Sequence, residues 1–367
     1  MKHPALIVAL AALGVAAVAI APNAISAESA ATPSADGSDY EARFDAAIAL
    51  HDRGQYGAAI SAFRDLLATR PDDPTLLCEL ANSLFASGRS DEAVQRAESG
   101  LAQPGANDAF CSNILGSALD ARGDLKKGEK VFRKAIRKSP DVAILHFNLG
   151  VNQSLQKHPE EAIEEFQEAI RLKPSHASNW RALALAWQER RMRPRAFTAF
   201  ARFLALEPVG TRAEGAARQL EALLFQGVEN KGADPATGKE SISITTDADA
   251  GEKSDAARGL DLSMSIVTAG RWLDEWKTRT DAEFFAHAFD AVLKIFEELD
   301  DSSGRKDGFW SAAVMPYFRD ARAAEHIETM AWEVRRSRND PEVMAWLEAH
   351  AAQVESYRAW AAAWTPR

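Results

Sequence analysis

The chain has 367 residues, enough for two domains, and sets 43 Lys and Arg against 53 Asp and Glu for a net charge of −10. Its apolar content suits a soluble protein able to bury a core, which excludes global disorder. The acidic balance argues against nonspecific nucleic-acid binding, because that needs Lys and Arg to displace phosphate counterions, and the deficit falls mostly after Gly227.

Residues 1–27 begin with Lys2, run apolar from Ala5 to Ala21, break at Pro22 and Asn23 and close on Ile25-Ser26-Ala27. This is the pattern of a secretory signal peptide with cleavage near Ala27. As a helix the apolar run of about 17 residues would rise roughly 25 Å, short of a hydrocarbon core, so cleavage is favoured over an uncleaved anchor. A periplasmic or secreted location follows, with membrane contact only if the segment stays attached. Residues 28–39 are expected to be a disordered N-terminal segment.

From Tyr40 to Pro208 one pattern returns five times at about 34 residues. Small residues stand at Ala59, Ala93, Gly128, Ala162 and Ala196, followed four positions on by Phe63, Ala97, Phe132, Phe166 and Phe200. Pro71, Pro140, Pro174 and Pro208 come eight further on in four of the five. A Leu-small pair recurs at Leu80-Ala81, Leu115-Gly116, Leu149-Gly150 and Leu183-Ala184, and Trp180 occupies a bulky opening position. On these residues the segment resembles the tetratricopeptide repeat (TPR) family. The second repeat departs most, with Ala97 in place of an aromatic, Gly100 beside it and one extra residue at Pro104-Gly105. The amphipathic stretch Thr211 to Phe225 reads as the helix that caps the last apolar face.

The resemblance implies two antiparallel helices per repeat, with the first helices lining a concave groove. The groove positions it implies are Phe44, Ile48, Asn82, Phe85, Phe110, Asn113, Phe147, Val151, Leu155 and Arg181. Family members that grip a C-terminal carboxylate use Lys, Arg and Asn there, whereas this chain has Phe44, Ile48 and Phe110. The groove is therefore expected to be apolar and to take a protein or peptide partner, with Asn82 and Asn113 holding partner backbone. Cys78 and Cys111 fall near the start of the first helices of adjacent repeats, so both a disulfide and two buried thiols stay open.

The basic run Lys126, Lys127, Lys130, Arg133, Lys134, Arg137 and Lys138 could suggest phosphate binding. Thirty-four positions on, however, Lys126, Lys127, Lys130 and Lys134 meet Glu160, Glu161, Glu164 and Glu168, and one repeat later Arg195 and Arg202 follow. A charge ladder across the outer face is preferred to a nucleic-acid surface.

Residues 227–253 are rich in Gly, Asp, Ser, Thr and Lys, with Ile242 and Ile244 as their large apolar residues, and read as a flexible linker. Gly232 followed by Gly238-Lys239-Glu240 fails the phosphate-loop pattern in spacing and in its last residue. Residues 254–367 are helical again without the repeat. Helices are expected near 255–277, 281–299, 309–337 with a break at Pro316, and 341–364. Thr280 with Glu283 forms a capping box, and Asp340-Pro341-Glu342 a second helix start. Seven of the nine Trp fall in this module, in a pattern of core packing. Through Phe309-Trp310, Met315-Pro316-Tyr317-Phe318 and Ala324-Glu325-His326-Ile327-Glu328 the module is similar to a C-terminal region of some bacterial exported repeat proteins, a similarity that implies no activity.

No nucleophile elbow, dinucleotide fingerprint or paired-His metal motif is present, so neither enzyme activity nor a cofactor or metal site is expected. An enzyme would need a polar cleft collecting His287, Asp290, His326 and Glu328. The sequence thus reads as an all-α TPR superhelix of five repeats plus cap (40–226), a linker and a separate helical bundle, acting as an interaction scaffold in the cell envelope. The alternative is a self-occluded regulatory module whose groove the C-terminal bundle covers.

Overall fold

The structure is a computed structural model that describes residues 35–233, 236, 240–245, 255–302 and 308–365. The leader residues 1–27 and the Gly238-Lys239 pair lie outside the described residues. The chain divides between Glu165 and Phe166 into two compact units.

The first unit is built of α1 (Ala35–Asp52), α2 (Tyr56–Leu67), α3 (Pro74–Ala86), α4 (Ser90–Leu101), α5 (Asp108–Ala121), α6 (Leu125–Lys138), α7 (Ala143–Leu155) and the start of α8 (Pro159–Leu172). From α1 to α7 each helix packs on the next, and the first helices of neighbouring repeats, α3 with α5 and α5 with α7, also touch. The turns inside successive repeats need a left-handed residue, supplied by Gly54, Gly88 and Gly123 with φ of 74°, 81° and 86° and then by Lys157 at 65°. Asp73 starts α3 by accepting the Thr75 and Leu76 amides at 2.9 and 3.2 Å, and Asn107 starts α5 by accepting the Phe110 amide at 3.1 Å.

Small residues set the helix spacing here. A Cβ at Gly116 would lie 2.5 Å from Cζ of Phe132, so the ring fills the space that the missing side chain leaves. Gly100 has the same role at a different contact. Cys78 and Cys111 form a disulfide with their Cα atoms 5.4 Å apart, and a Cβ at Gly100 would lie 2.5 Å from the Cys78 Sγ. The residue that looks like a loosening of repeat two instead makes room for a covalent staple between α3 and α5. Reducing this bond should lower the unfolding free energy of the first unit by roughly 3–4 kcal/mol, the value for a loop of this size. Denaturant midpoints with and without dithiothreitol measure it, and equal midpoints would contradict the staple.

The second unit contains the rest of α8, α9 (Ala177–Glu189), α10 (Arg193–Leu206), α11 (Thr211–Phe225), the strands β1 (Val228–Ala233) and β2 (Glu240–Ile244), and α12 (Asp255–Ala269). It continues through α13 (Asp281–Ser302), α14 (Met315–Ala323), α15 (Ile327–Glu333), α16 (Pro341–Ala349) and α17 (Ala351–Ala363). Trp180 Nε1 donates to the Pro174 carbonyl at 2.7 Å. In the first unit His146, one repeat earlier, places Nε2 3.0 Å from the Pro140 carbonyl, so in these two repeats the bulky opening residue ties down the preceding repeat end.

Three expectations change in this unit. The stretch after Gly227 begins as an antiparallel hairpin, pairing Val228 with Ile244, Glu229 with Ser243 and Asn230 with Ile242, with an irregularity before Ala233. Ile242 and Ile244 alternate with Ser243, a period of two that suits a strand, and α12 packs on both strands. The turn Trp310–Val314 is π-helical and Pro316 lies in the first turn of α14, where its missing N–H costs little. The chain breaks later, at Glu325, which has φ 58°. Both helix starts form as expected, with the Thr280 Oγ1 accepting the Glu283 amide at 3.1 Å, Glu283 accepting the Thr280 amide at 3.0 Å, and Asp340 accepting the Glu342 amide at 3.0 Å.

The third change concerns the separate bundle. Every residue of α10 except Arg195 and Leu206 is buried, because the C-terminal helices pack around it. Phe197 meets Phe289 at 5.5 Å, and Trp310 Nε1 donates to Thr198 Oγ1 at 3.1 Å. Arg193 donates to the Leu223 and Leu224 carbonyls at 2.6 and 3.0 Å, to Asp261 Oδ1 at 3.0 Å and to Ser265 Oγ at 2.9 Å. The amphipathic helix α11 is thus held between repeat five and the module, with Glu221 paired to Arg335 at 2.8 Å. A chain cut after Gly227 should therefore lose α10 and α11, collecting in the insoluble fraction or showing reduced helicity by circular dichroism. A soluble, fully helical fragment of residues 28–227 would contradict this packing.

Candidate partner-binding face

Four of the expected groove residues come together. Phe44 and Ile48 on α1, Phe85 on α3 and Phe110 on α5 are partly buried and rest on one core cluster that includes Leu80, Leu84, Ile114 and Leu115. Phe44 meets Phe63 edge-on at 6.1 Å and stacks on Tyr40 at 6.4 Å. Tyr40 is fixed in turn by Arg70, whose Cζ lies 3.6 Å from its ring centroid, and by a 3.3 Å hydrogen bond to Asp73. Leu155 at the end of α7 is also partly exposed.

The remaining expected residues do not present themselves. Phe147 and Val151 are 1% and 2% exposed, because on α7 they fall on a packed face. Asn113 Oδ1 accepts from Asn148 Nδ2 at 2.6 Å, and Asn82 Nδ2 lies 3.4 Å from His51 Nε2, so one group of each amide is engaged inside the chain. Buried hydroxyl and imidazole groups back this row, with His51 Nδ1 2.9 Å from Ser83 Oγ. Burial pushes the neighbouring Glu79 up to about 7 against a hydrogen bond from Asn82. In the second unit Arg181 is half-buried, its Nη1 has no hydrogen-bond partner, and desolvation, helped by nearby Arg212, lowers its pKa.

On the outer face several members of the basic run have carboxylates close by. Lys127 pairs with Asp124 at 3.8 Å, Arg133 with Glu129 at 2.8 Å and Lys138 with Asp108 at 2.7 Å, all reachable within one turn or from the neighbouring helix start. Arg202 is not on a surface at all but fully buried in the second unit.

A polar network that the sequence reading missed lies between α5, α6 and α7. Asp120 is 3% exposed and accepts from Asn152 Nδ2 at 2.6 Å; that amide also donates to the Leu125 carbonyl at 2.9 Å. Gln156 donates to Asn152 Oδ1 at 2.8 Å and to Glu129 at 3.0 Å, and Gln153 to Glu129 at 3.1 Å. Gly128 faces Asp120 so closely that any side chain there would strike the carboxylate. The signal was Asn152 itself, a large amide in a column otherwise occupied by the small residues Ser83, Ala118 and Ala186.

Burial pushes the Asp120 carboxyl up to about 8, the Asn152 hydrogen bond opposes this, and Glu129 adds to it. The folded chain then keeps a proton that the unfolded chain gives up near the ordinary value of 3.8. This stabilisation is complete below that value and is lost as pH rises through about 8. Asp120→Asn keeps an acceptor for Asn152, so it should flatten the fall in stability between mildly acidic and mildly alkaline pH. Urea midpoints across that range test this, and parallel curves for the two proteins would refute it.

In the second unit three residues of the conjectural polar cleft have other contacts. His287 stacks on Trp276 at 4.6 Å, Asp290 pairs with Arg322 at 2.5 Å, and His326 packs on Tyr357 and Trp360 at 5.8 and 5.2 Å. Three of the seven Trp serve as core, with Trp310, Trp332 and Trp364 buried and Trp332 stacked on the partly buried Trp346 at 5.0 Å. Among the described residues no group of three or more His, Cys, Asp and Glu is placed to hold a metal ion, and no helix is long and apolar enough to cross a membrane.

Family models agree with the paired helices. Family models of the tetratricopeptide repeat match residues 50–109 and residues 18–74 and 115–177. Cellulose synthase operon protein C of Pseudomonas fluorescens (strain SBW25) is 31% identical over 105 residues, 26% of this chain and 8% of that protein's length. Among solved structures, a thermophilic TPR protein of Thermus thermophilus is 21% identical, covering 50% of this chain and 98% of its own with a TM-score of 0.44. MamA of Desulfovibrio magneticus RS-1 is 20% identical over 47% of this chain and 96% of its own, with a TM-score of 0.40. Packing, turn geometry and family match coincide over residues 50–109 and 115–177: these helix pairs are tetratricopeptide repeats.

Proposed function

We propose that the protein is an exported scaffold of the cell envelope that captures an apolar segment of a partner protein on the first helices of its repeats. Tetratricopeptide proteins in general serve as protein-interaction scaffolds, and one observation carries the reading for this chain. Phe44, Ile48, Phe85 and Phe110 stand half-exposed on three successive first helices while resting on a single core cluster. A row of large apolar side chains held this way offers the anchors that dominate protein interfaces. Asn82 Nδ2 and Asn113 Oδ1 are engaged inside the chain, so capture would rest chiefly on side-chain burial, with less from amide contacts to partner backbone. Export is supported by the apolar leader in the sequence and by the Cys78–Cys111 disulfide, which belongs to an oxidising compartment. The name of the Pseudomonas relative, a cellulose synthase operon protein, is compatible with an envelope setting.

A photo-crosslinking residue placed at Phe85 or Phe110 should trap a specific envelope protein, whereas one at the exposed outer position Lys134 should not. Phe85→Ser and Phe110→Ser together should weaken capture of that protein by about tenfold or more, as expected for losing two anchors. Crosslinking from Lys134 alone, or capture unchanged by the double substitution, would move the binding face elsewhere.

A further inference from the structure

A cleft of about 420 Å³ opens in the second unit, lined by Asp320, Ala323, Ala324, Trp360, Trp364 and Thr365. We propose that it is a binding site for a primary organic ammonium group, of the kind carried by a lysine side chain or a free alkyl diamine. The inference is independent of the partner-binding face in the first unit.

The lining residues belong to the carboxyl ends of two helices. Asp320 and Ala323 lie in the last turn of α14, which ends at Ala323, and Trp360 lies in the last turn of α17, which ends at Ala363; Ala324, Trp364 and Thr365 follow directly. Helix carboxyl ends carry partial negative charge, so two of them meeting at one cleft favour a cation.

Asp320 adds a full charge of the same sign. The other carboxylates in contact with this helix already have cations, since Arg319 pairs with Asp300, and Arg322 pairs with Asp290 at 2.5 Å and Glu297 at 2.9 Å. Asp320 instead accepts from the neutral indole Nε1 of Trp364 at 2.9 Å through Oδ2, and among the described residues it is given no Lys or Arg. One carboxylate oxygen therefore remains for an incoming donor. A compact ammonium suits a single oxygen better than the two-pronged guanidinium does.

The aromatic wall completes the site. Trp360 is half-buried and packs with Tyr317 at 5.1 Å, and Tyr317 meets Trp364 at 5.2 Å. These rings already accept a cation from within, because the Cζ of buried Arg202 lies 4.1 Å from the Tyr317 centroid and 5.4 Å from that of Trp364. Arg202 does not line the cleft, and its contacts show that the cluster tolerates a cation beside it. Ala323 and Ala324 leave room for an aliphatic stem beside the indoles.

Isothermal titration of the full chain with N-acetyl-lysine methylamide and with 1,5-diaminopentane tests the proposal, with N-acetyl-norleucine methylamide as the uncharged control. Saturable binding of an ammonium probe and none of the control is expected, and the tighter of the two probes identifies a chain-borne or a free source. Asp320→Asn keeps the acceptor for Trp364 and should weaken ammonium binding by about tenfold or more, with an unchanged thermal midpoint showing that the fold is intact. Absence of saturable binding at millimolar probe, equal binding of the uncharged control, or equal binding by Asp320→Asn would each overturn it. None of these outcomes bears on crosslinking from Phe85 or Phe110, so the two readings fail separately.

Discussion

The second unit depends on the burial of α10. A helix that is covered on nearly all sides must satisfy the polar groups it buries, and α10 buries two of its three guanidinium groups, Arg193 and Arg202. Leaving a charge buried without partners would cost several kcal/mol, so the positions of the surrounding elements are constrained by these side chains. Arg193 meets the requirement in full. It takes the Leu223 and Leu224 carbonyls at the end of α11, which have no partner within their own helix, and Asp261 and Ser265 on α12. The chain then turns at Gly227, whose φ of 78° places a backbone with no Cβ directly against the Thr245 carbonyl, and enters the hairpin. Arg202 is met only in part: Nη1 donates to the Ala361 carbonyl at 3.2 Å and the guanidinium lies on the faces of Tyr317 and Trp364, while its Nε and Nη2 are buried without a hydrogen-bond partner.

The first unit solves its packing with absence as much as with presence. Gly116 admits the Phe132 ring, Gly100 admits the disulfide and Gly128 admits the Asp120 carboxylate, so three glycines in successive helices each make room for a different kind of contact. The last of these replaces apolar filling with a hydrogen-bonded group whose proton is retained on folding. Such a network is favourable only when each member is satisfied, and Asn152 and Gln156 meet that condition by bonding in chain to Asp120, the Leu125 carbonyl and Glu129.

The repeats were legible because a 34-residue period fixes the same small and large residues at each helix crossing, and the capping signals at Thr280 and Asp340 were legible because they act within four residues. The packing of the C-terminal helices on repeat five was not foreseen, although α10 held the clue. Its sequence, RPRAFTAFARFLAL, lacks the charged face of LKKGEKVFRKAIRK in α6, and a helix apolar around its whole circumference must be covered by something. The hairpin was obscured by composition, since a stretch rich in Gly and Asp outweighed the alternation of two isoleucines. At the candidate face, spacing identified which positions lie on the first helices but not how far each is overlaid. Phe44 and Phe147 therefore looked alike, though one is half-exposed and the other buried.

Rigidity connects the staple to the proposed recognition. Phe85 lies at the end of α3 and Phe110 at the start of α5, and the Cys78–Cys111 bond joins these two helices covalently. An aromatic row whose members could drift apart would have to be ordered at the moment of binding, at a cost of roughly 0.5–1.5 kcal/mol per side chain immobilised. Fixing the two helices beforehand removes part of that cost. Gly100 is the local condition for this, because any larger residue would press on the Cys78 sulfur. The same features that make the second repeat depart from its family pattern therefore hold the two central aromatics of the face in register, and they do so only where the compartment keeps the disulfide oxidised.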